Sequence, residues 1–280
     1  MALISVDELA ERVFAGDPRL RLADVRWYLN RPGAGRAAYD AGHIPGAVFV
    51  DLEADLSAHD GPGRHPLPNP VDFAHRLGEL GIGSEHDVVV YDDAGGTVAS
   101  RLWWMLDTLG HRSVRVLDGG IGAWQAAGHP VTSEASVHPP AALNLMDRWS
   151  RTITREALSA RLGSVTLLDA RAPERYRGEI EPVDPVPGHI PTARSAPATA
   201  NLGPDGRFLA RDALRRRFET LAASGEVVTS CGSGTTACHN ALAMRIAGLP
   251  DPVLYVGSYS DWSRSGMPVA TGPEPGDPPG

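Results

Sequence analysis

Short runs of apolar and β-branched residues, each closing on or beside Asp, Gly or Ser, recur along the chain. They are RLADV at 21–25, VVVYD at 88–92 and VRVLD at 114–118, then TLLDA at 166–170, EVVTS at 226–230 and PVLYV at 252–256. Apolar at nearly every position, such runs suit parallel strands covered on both faces. Helical spacing fills the intervals. SVDELAERVF at 5–14 and TREALSARL at 154–162 each open on a Ser or Thr that can cap a helix. ASRLWWMLDTLG at 99–110 and TTACHNALAMRIAG at 235–248 predict helices that cover a sheet, the latter ending at Gly248 as a C′ residue. The fold class is α/β.

The pattern runs twice. LADVR at 22–26 returns as LLDAR at 167–171, YDAGHIPGA at 39–47 as VPGHIPTA at 186–193, and VLDGGIGAW at 116–124 as VLYVGSYSDW at 253–262. Gly128-His129-Pro130-Val131 then matches Gly266-Met267-Pro268-Val269. Four matches in one order imply a duplicated α/β unit. The stretch 132–151 breaks the periodicity and carries Pro139-Pro140, so the expected layout is 1–131, a linker 132–151, a second domain 152–270 and a tail 271–280. The tail, TGPEPGDPPG, is expected to be disordered.

The chain has 280 residues and a formal net charge of −8, which argues against nucleic acid or an anionic membrane as the main partner. No apolar run approaches a membrane span, and the start lacks the features of a secretory signal, so the expected location is cytoplasmic. Cys231 and Cys238 are the two cysteines. They make neither a disulfide framework nor a convincing zinc site, so a cysteine that matters here matters through reactivity.

Cys231 ends an apolar strand and precedes Gly232-Ser233-Gly234-Thr235-Thr236 and a helix. Main-chain N–H groups converge at such a place, where the positive end of the helix favours a thiolate or a negatively charged sulfur bound to it. The two glycines allow close approach, and the hydroxyls of Ser233, Thr235 and Thr236 add donors. Read locally, Cys231 as a small buried hydrophobe is the rival, and for Cys238, a turn into the apolar helix, the core reading is preferred.

Cys231-Gly-Ser-Gly-Thr-Thr-Ala237 closely resembles the active-site loop of tandem-domain rhodanese-like sulfurtransferases, in the form found in 3-mercaptopyruvate sulfurtransferases. The paired HIP(G/T)A segments, RLWWMLDTLGH, VLDGGIGAW and GSYSDW extend the resemblance over nearly the whole chain. It implies two rhodanese-like domains, each a mainly parallel sheet wrapped by helices, with the active site in the C-terminal copy facing the interdomain cleft. The first copy has Asp92 or Asp93 where the second has Cys231, and a carboxylate carries no transferable sulfur, so that copy is expected to be catalytically inactive.

The implied reaction is a double displacement through a Cys231 persulfide, with no metal or organic cofactor. The partners are a small anionic sulfur donor, 3-mercaptopyruvate or thiosulfate, and a thiol or cyanide acceptor, a thioredoxin-like protein among the thiols. Ser233 joins Cys231 as catalytic, and Gly232, Gly234, Thr235 and Thr236 join Arg175 in binding substrate. Arg175 matches the arginine that holds substrate anions, whereas Arg171, after Asp169, reads as a structural ion pair.

The loop is uncharged, where thiosulfate-preferring relatives carry basic residues. His43 is the candidate to relay a proton with Ser233, although His189 repeats it in the other copy, where no relay is proposed. The mercaptopyruvate branch often has a second arginine after an EPEP-like segment. Here Glu181-Pro182-Val183-Asp184 has none, and Arg194 is the candidate replacement. Two rivals stand beside this reading: a sulfur-carrier or protein-binding module without turnover, and a cysteine phosphatase, which needs an arginine where Ala237 stands.

Overall fold

A computed structural model describes residues 2–222 and 225–278. The chain forms two compact units. The first holds strands β1 (Leu3–Ile4), β2 (Leu20–Asp24), β3 (Ala47–Phe49), β4 (Asp87–Tyr91) and β5 (Val114–Leu117), with helices α1 (Val6–Phe14), α2 (Ala34–Ala41), α3 (Pro70–Glu79), α4 (Ala99–Thr108) and α5 (Gly120–Ala126). The second holds β6 (Thr152–Ile153), β7 (Thr166–Asp169), β8 (Arg194–Ser195), β9 (Val227–Ser230) and β10 (Val253–Tyr255), with α6 (Arg155–Ser159), α7 (Pro173–Tyr176), α8 (Arg211–Leu221), α9 (Ala237–Ala247) and α10 (Ser258–Trp262).

Both sheets are parallel and share one topology, β1-β5-β4-β2-β3 and β6-β10-β9-β7-β8. All six apolar runs are strands, and the edge strands β1, β3, β6 and β8, two or three residues each, escape a periodicity reading because they are too short to show one. The central strands are buried along most of their length, as side chains from both faces enter the core. Leu9, Leu22, Val89, Tyr91 and Trp124 pack the first core, and Leu158, Leu167, Tyr176, Val228 and Trp262 the second. Ser5 caps α1 through Glu8 N at 3.2 Å, and Thr154 caps the shorter α6.

The repeated Asp-x-Arg is an ion pair in each unit. Arg26 binds Asp24 at 2.7 Å and donates to the Gly42 carbonyl; Arg171 binds Asp169 at 2.6 Å and donates to the Gly188 carbonyl. The first unit takes in residues 2–58, 68–150 and 204–208, and the second takes 59–67, 151–203 and 209–278 among those described. The stretch read as a linker thus lies in the first unit up to Ser150. Where a disordered tail is expected, the described residues are bonded to the second unit. The Thr192 N–H donates to the Pro275 carbonyl (2.6 Å), and Gly272 donates to Arg177. Pro279 and Gly280 lie outside the described residues. No helix among the described residues is long and apolar enough to cross a membrane.

Two histidines of the first unit couple its stability to pH. His86 and His111 accept main-chain N–H groups at Nδ1, from Gly83 (2.9 Å) and Ser113 (3.2 Å). Burial holds both below the ordinary imidazole value of 6.5, with Arg21 adding to the effect at His86. The unfolded chain therefore takes up these protons more readily, so the stability they contribute is present above about pH 6.5 and is lost as the pH falls below it. The melting temperature should drop between about pH 7.5 and 5.5, and less steeply in His111→Gln; equal slopes would exclude this source.

Candidate active site

Cys231 leaves the carboxyl end of β9 and is 2% exposed. Its carbonyl accepts the Tyr259 N–H and that of Gly232 accepts the Ser260 N–H, both at 2.9 Å, which ties the loop to α10. The Cys231 N–H donates to Ser258 Oγ (3.1 Å), and that hydroxyl donates to the Tyr255 carbonyl (2.8 Å). Ser258 adopts φ 51, a conformation that costs a non-glycine residue about 1–2 kcal/mol. Cys238 is fully buried, and its thiol donates to the Gly234 carbonyl (3.3 Å).

The first unit shows what this loop architecture does with a side chain at the same position. Asp92 is the counterpart of Cys231, because its carbonyl accepts the Ile121 N–H as that of Cys231 accepts Tyr259 N–H. The Asp92 carboxylate receives four main-chain N–H groups, from Ala94, Gly96, Val98 and Ala99, at 2.7–2.9 Å. Burial pushes this carboxyl up, and the four donors offset part of that rise. The strand, loop and helix thus form a nest for negative charge, and here a carboxylate of the chain itself fills it.

Ser233 Oγ lies 2.8 Å from Nδ1 of His65, with Thr235 Oγ1 at 3.3 Å from the same nitrogen. Periodicity does not mark His65, which sits in an aperiodic Gly- and Pro-rich stretch. The duplication does carry a signal, since Gly63-Arg64-His65 returns as Gly206-Arg207-Phe208. Each segment packs in the compact unit of the other half of the sequence. Gly63 (φ +80) makes this approach: a Cβ there would lie 2.5 Å from the Gly257 carbonyl oxygen, while the next N–H, of Arg64, donates to Ser260 Oγ.

His43 is not near this chemistry in its bonding. Its Nδ1 meets the Tyr39 carbonyl (2.9 Å) and its Nε2 the Glu134 carbonyl (3.1 Å), and the buried ring stacks on Tyr39. His189 repeats the arrangement with Tyr176 and Glu274. With both nitrogens engaged by main chain, His43 has the structural role that the repeat favours, and His65 replaces it as the histidine on Ser233.

Arg175, on α7, binds Glu181 through Nη2 (2.7 Å) and Nε (3.2 Å) and reaches Asp184 (3.3 Å). A Cβ built on Gly232 would meet Arg64 Nη2 at 2.8 Å and Arg175 Nη1 at 3.5 Å, so two guanidiniums converge beside the cysteine. Burial would raise the Glu181 carboxyl, but Arg175 and the N–H groups of Asp184 and Val183 hold it below the ordinary value. Arg194 does not replace the absent second arginine, because it donates to the Leu221 carbonyl (2.8 Å) from the exposed edge strand. Among the described residues no group of His, Cys, Asp and Glu is arranged to hold a metal ion.

The Rhodanese-like domain profile matches residues 5–127 and 154–265. The "Probable 3-mercaptopyruvate sulfurtransferase" of Pseudomonas aeruginosa is 46% identical, covering 96% of this chain and 98% of its own. The thiosulfate sulfurtransferase of Rattus norvegicus is 38% identical over 95% of this chain and 93% of its own. SseA from Escherichia coli, solved as one of the 3-mercaptopyruvate sulfotransferases, superposes with a TM-score of 0.80 at 31% identity, covering 92% of this chain and 98% of that one. The chain belongs to the rhodanese-like family, as a tandem-domain sulfurtransferase close to the 3-mercaptopyruvate and thiosulfate sulfurtransferases.

Proposed function

We propose that this sulfurtransferase moves sulfane sulfur from 3-mercaptopyruvate or thiosulfate to a thiol or cyanide through a persulfide on Cys231. The observation that carries this reading is the convergence of two guanidiniums and the Ser233–His65 pair on the loop of a cysteine at a strand end. In the first half-reaction the Cys231 thiolate attacks the donor sulfur and forms an S–S bond. The bond from that sulfur to carbon, or to the sulfonate sulfur, breaks, and its electron pair leaves as pyruvate enolate or sulfite. An enolate must then take a proton at carbon; the Ser233 hydroxyl passes one to it and takes one in turn from the ring of His65, its hydrogen-bond partner at Nδ1. In the second half-reaction an acceptor attacks the outer sulfur and the Cys231 thiolate departs.

Gly234, Thr235 and Thr236 carry the chain from Cys231 into α9 and supply the donors that face the sulfur, by analogy with the nest around Asp92. The first unit takes no sulfur, since Asp92 fills its nest. A thioredoxin-like protein is a fitting thiol acceptor and a cytoplasmic setting fits two free cysteines.

The test is intact mass after donor alone, followed by steady-state transfer to cyanide and to a thiol from each donor. A gain of one sulfur with turnover supports the reading. A persulfide that forms and transfers to neither acceptor would favour a carrier module, and no gain from either donor would overturn the assignment. Arg175→Ala should raise KM for the anionic donor about 10- to 100-fold, as loss of a charge-assisted hydrogen bond requires. An unchanged KM would remove Arg175 from the site.

A further inference from the structure

We propose that Arg64 is a second donor-binding cation, presenting one edge of its guanidinium to the oxyanion end of the substrate over Gly232. The inference rests on the functional reading above and adds the residue that sets its charge preference. Asp184, whose carboxylate is fully buried, anchors three arginines: Arg64 through Nη1, Arg175 at 3.3 Å and Arg264 at 3.2 Å. With Glu181 and with the Arg171–Asp169 pair that it joins, three carboxylates face four guanidiniums, so this corner of the second unit keeps one positive charge.

Asp184 takes only the Nη1 corner of Arg64. Nε is buried without a hydrogen-bond partner among the described residues, and Nη2 is the atom that a side chain at 232 would strike. Nε and Nη2 form the side-on fork that matches two oxygens of a carboxylate or a sulfonate. A buried, unsatisfied N–H of this kind costs free energy until an acceptor arrives. Arg175, by contrast, already gives Nε and Nη2 to Glu181. A Cβ on Gly232 would stand 2.8 Å from Arg64 Nη2, so this edge of the guanidinium lies directly against the loop.

The uncharged sequence Gly-Ser-Gly-Thr-Thr therefore does not make an uncharged site. The cation absent both from the loop and from the segment 181–184 enters from residue 64, distant in sequence and packed in the same unit. A site with a fork for two oxygens accepts either anionic donor.

The experiment compares Arg64→Met, Arg64→Lys and wild type as full-length chains. It measures alkylation of Cys231 by iodoacetate and by iodoacetamide, mapped by peptide mass, beside KM and kcat for 3-mercaptopyruvate and for thiosulfate. The iodoacetate-to-iodoacetamide rate ratio should fall about tenfold or more in Arg64→Met, with KM for both donors rising about 10- to 100-fold. Arg64→Lys, which keeps the charge and loses the fork, should recover part of the ratio. Equal slowing of both reagents in Arg64→Met means a merely structural role and overturns the proposal, as does an unchanged ratio in a protein that melts like wild type. If Arg64→Met does not fold, an undiminished ratio in Arg64→Lys together with unchanged KM values also overturns it. Absence of sulfur gain in wild type would defeat the functional reading instead, while the alkylation ratio would still decide the role of Arg64.

Discussion

Replacing Cys231 by serine should abolish both persulfide formation and sulfur transfer, while Cys238→Ser should keep most of each. The contrast follows from where the two cysteines lie. Cys231 follows β9 and opens a loop on which Ser233, His65 and two guanidiniums converge. Cys238 lies inside α9, fully buried, its thiol given to the carbonyl of Gly234. A serine hydroxyl at 231 is far less nucleophilic toward sulfur and forms no persulfide, whereas a serine at 238 can make the same bond to Gly234. Intact mass after donor, with cyanide turnover, reads both variants. Equal loss in the two would contradict a single nucleophile.

Asp92→Ala should cost the fold about 3–6 kcal/mol and leave the gain of sulfur by Cys231 intact in the folded protein. The substitution strips the acceptor from four buried main-chain N–H groups at once, and each unsatisfied donor costs about 1–3 kcal/mol before water or local relaxation recovers part of it. Chemical denaturation measures the loss, and a change below about 1 kcal/mol would mean the nest does not depend on its carboxylate. Asp92→Cys in a Cys231→Ser background should gain no sulfur. The span from Asp92 to the first residue of α4 is one longer than that from Cys231 to α9, so the nest is not in the same register.

Much of the candidate site was legible because its signals are local. Cys231, Ser233 and the glycines lie within a few residues, on a strand, loop and helix whose periods are visible in EVVTS and ACHNALAMRIA. Arg175 was legible only through the family resemblance: Asp169 already marks Arg171 as an ion pair in the sequence, but nothing local separates Arg175 from Arg177, and only packing brings Arg175 beside the loop. His43 stands out in the sequence because its HIPGA motif is the more regular one. That regularity reflects a repeated structural bond to two carbonyls, which His189 duplicates.

By itself the sequence determined the class of fold and its duplication and singled out Cys231 as the candidate nucleophile, because strand and helix periods, the repeated motifs and the cysteine loop are properties of neighbouring residues. Tertiary structure alone decided which distant side chains lie beside that loop. Residues 59–67 pack in the second unit and 204–208 in the first, so Arg64 and His65 reach Gly232 and Ser233 across more than 160 positions of chain. No periodicity records that exchange. It depends on Gly63 fitting against the carbonyl of Gly257 and on a buried carboxylate at Asp184 holding the arginine in place, and both are contacts between residues that sequence order keeps apart.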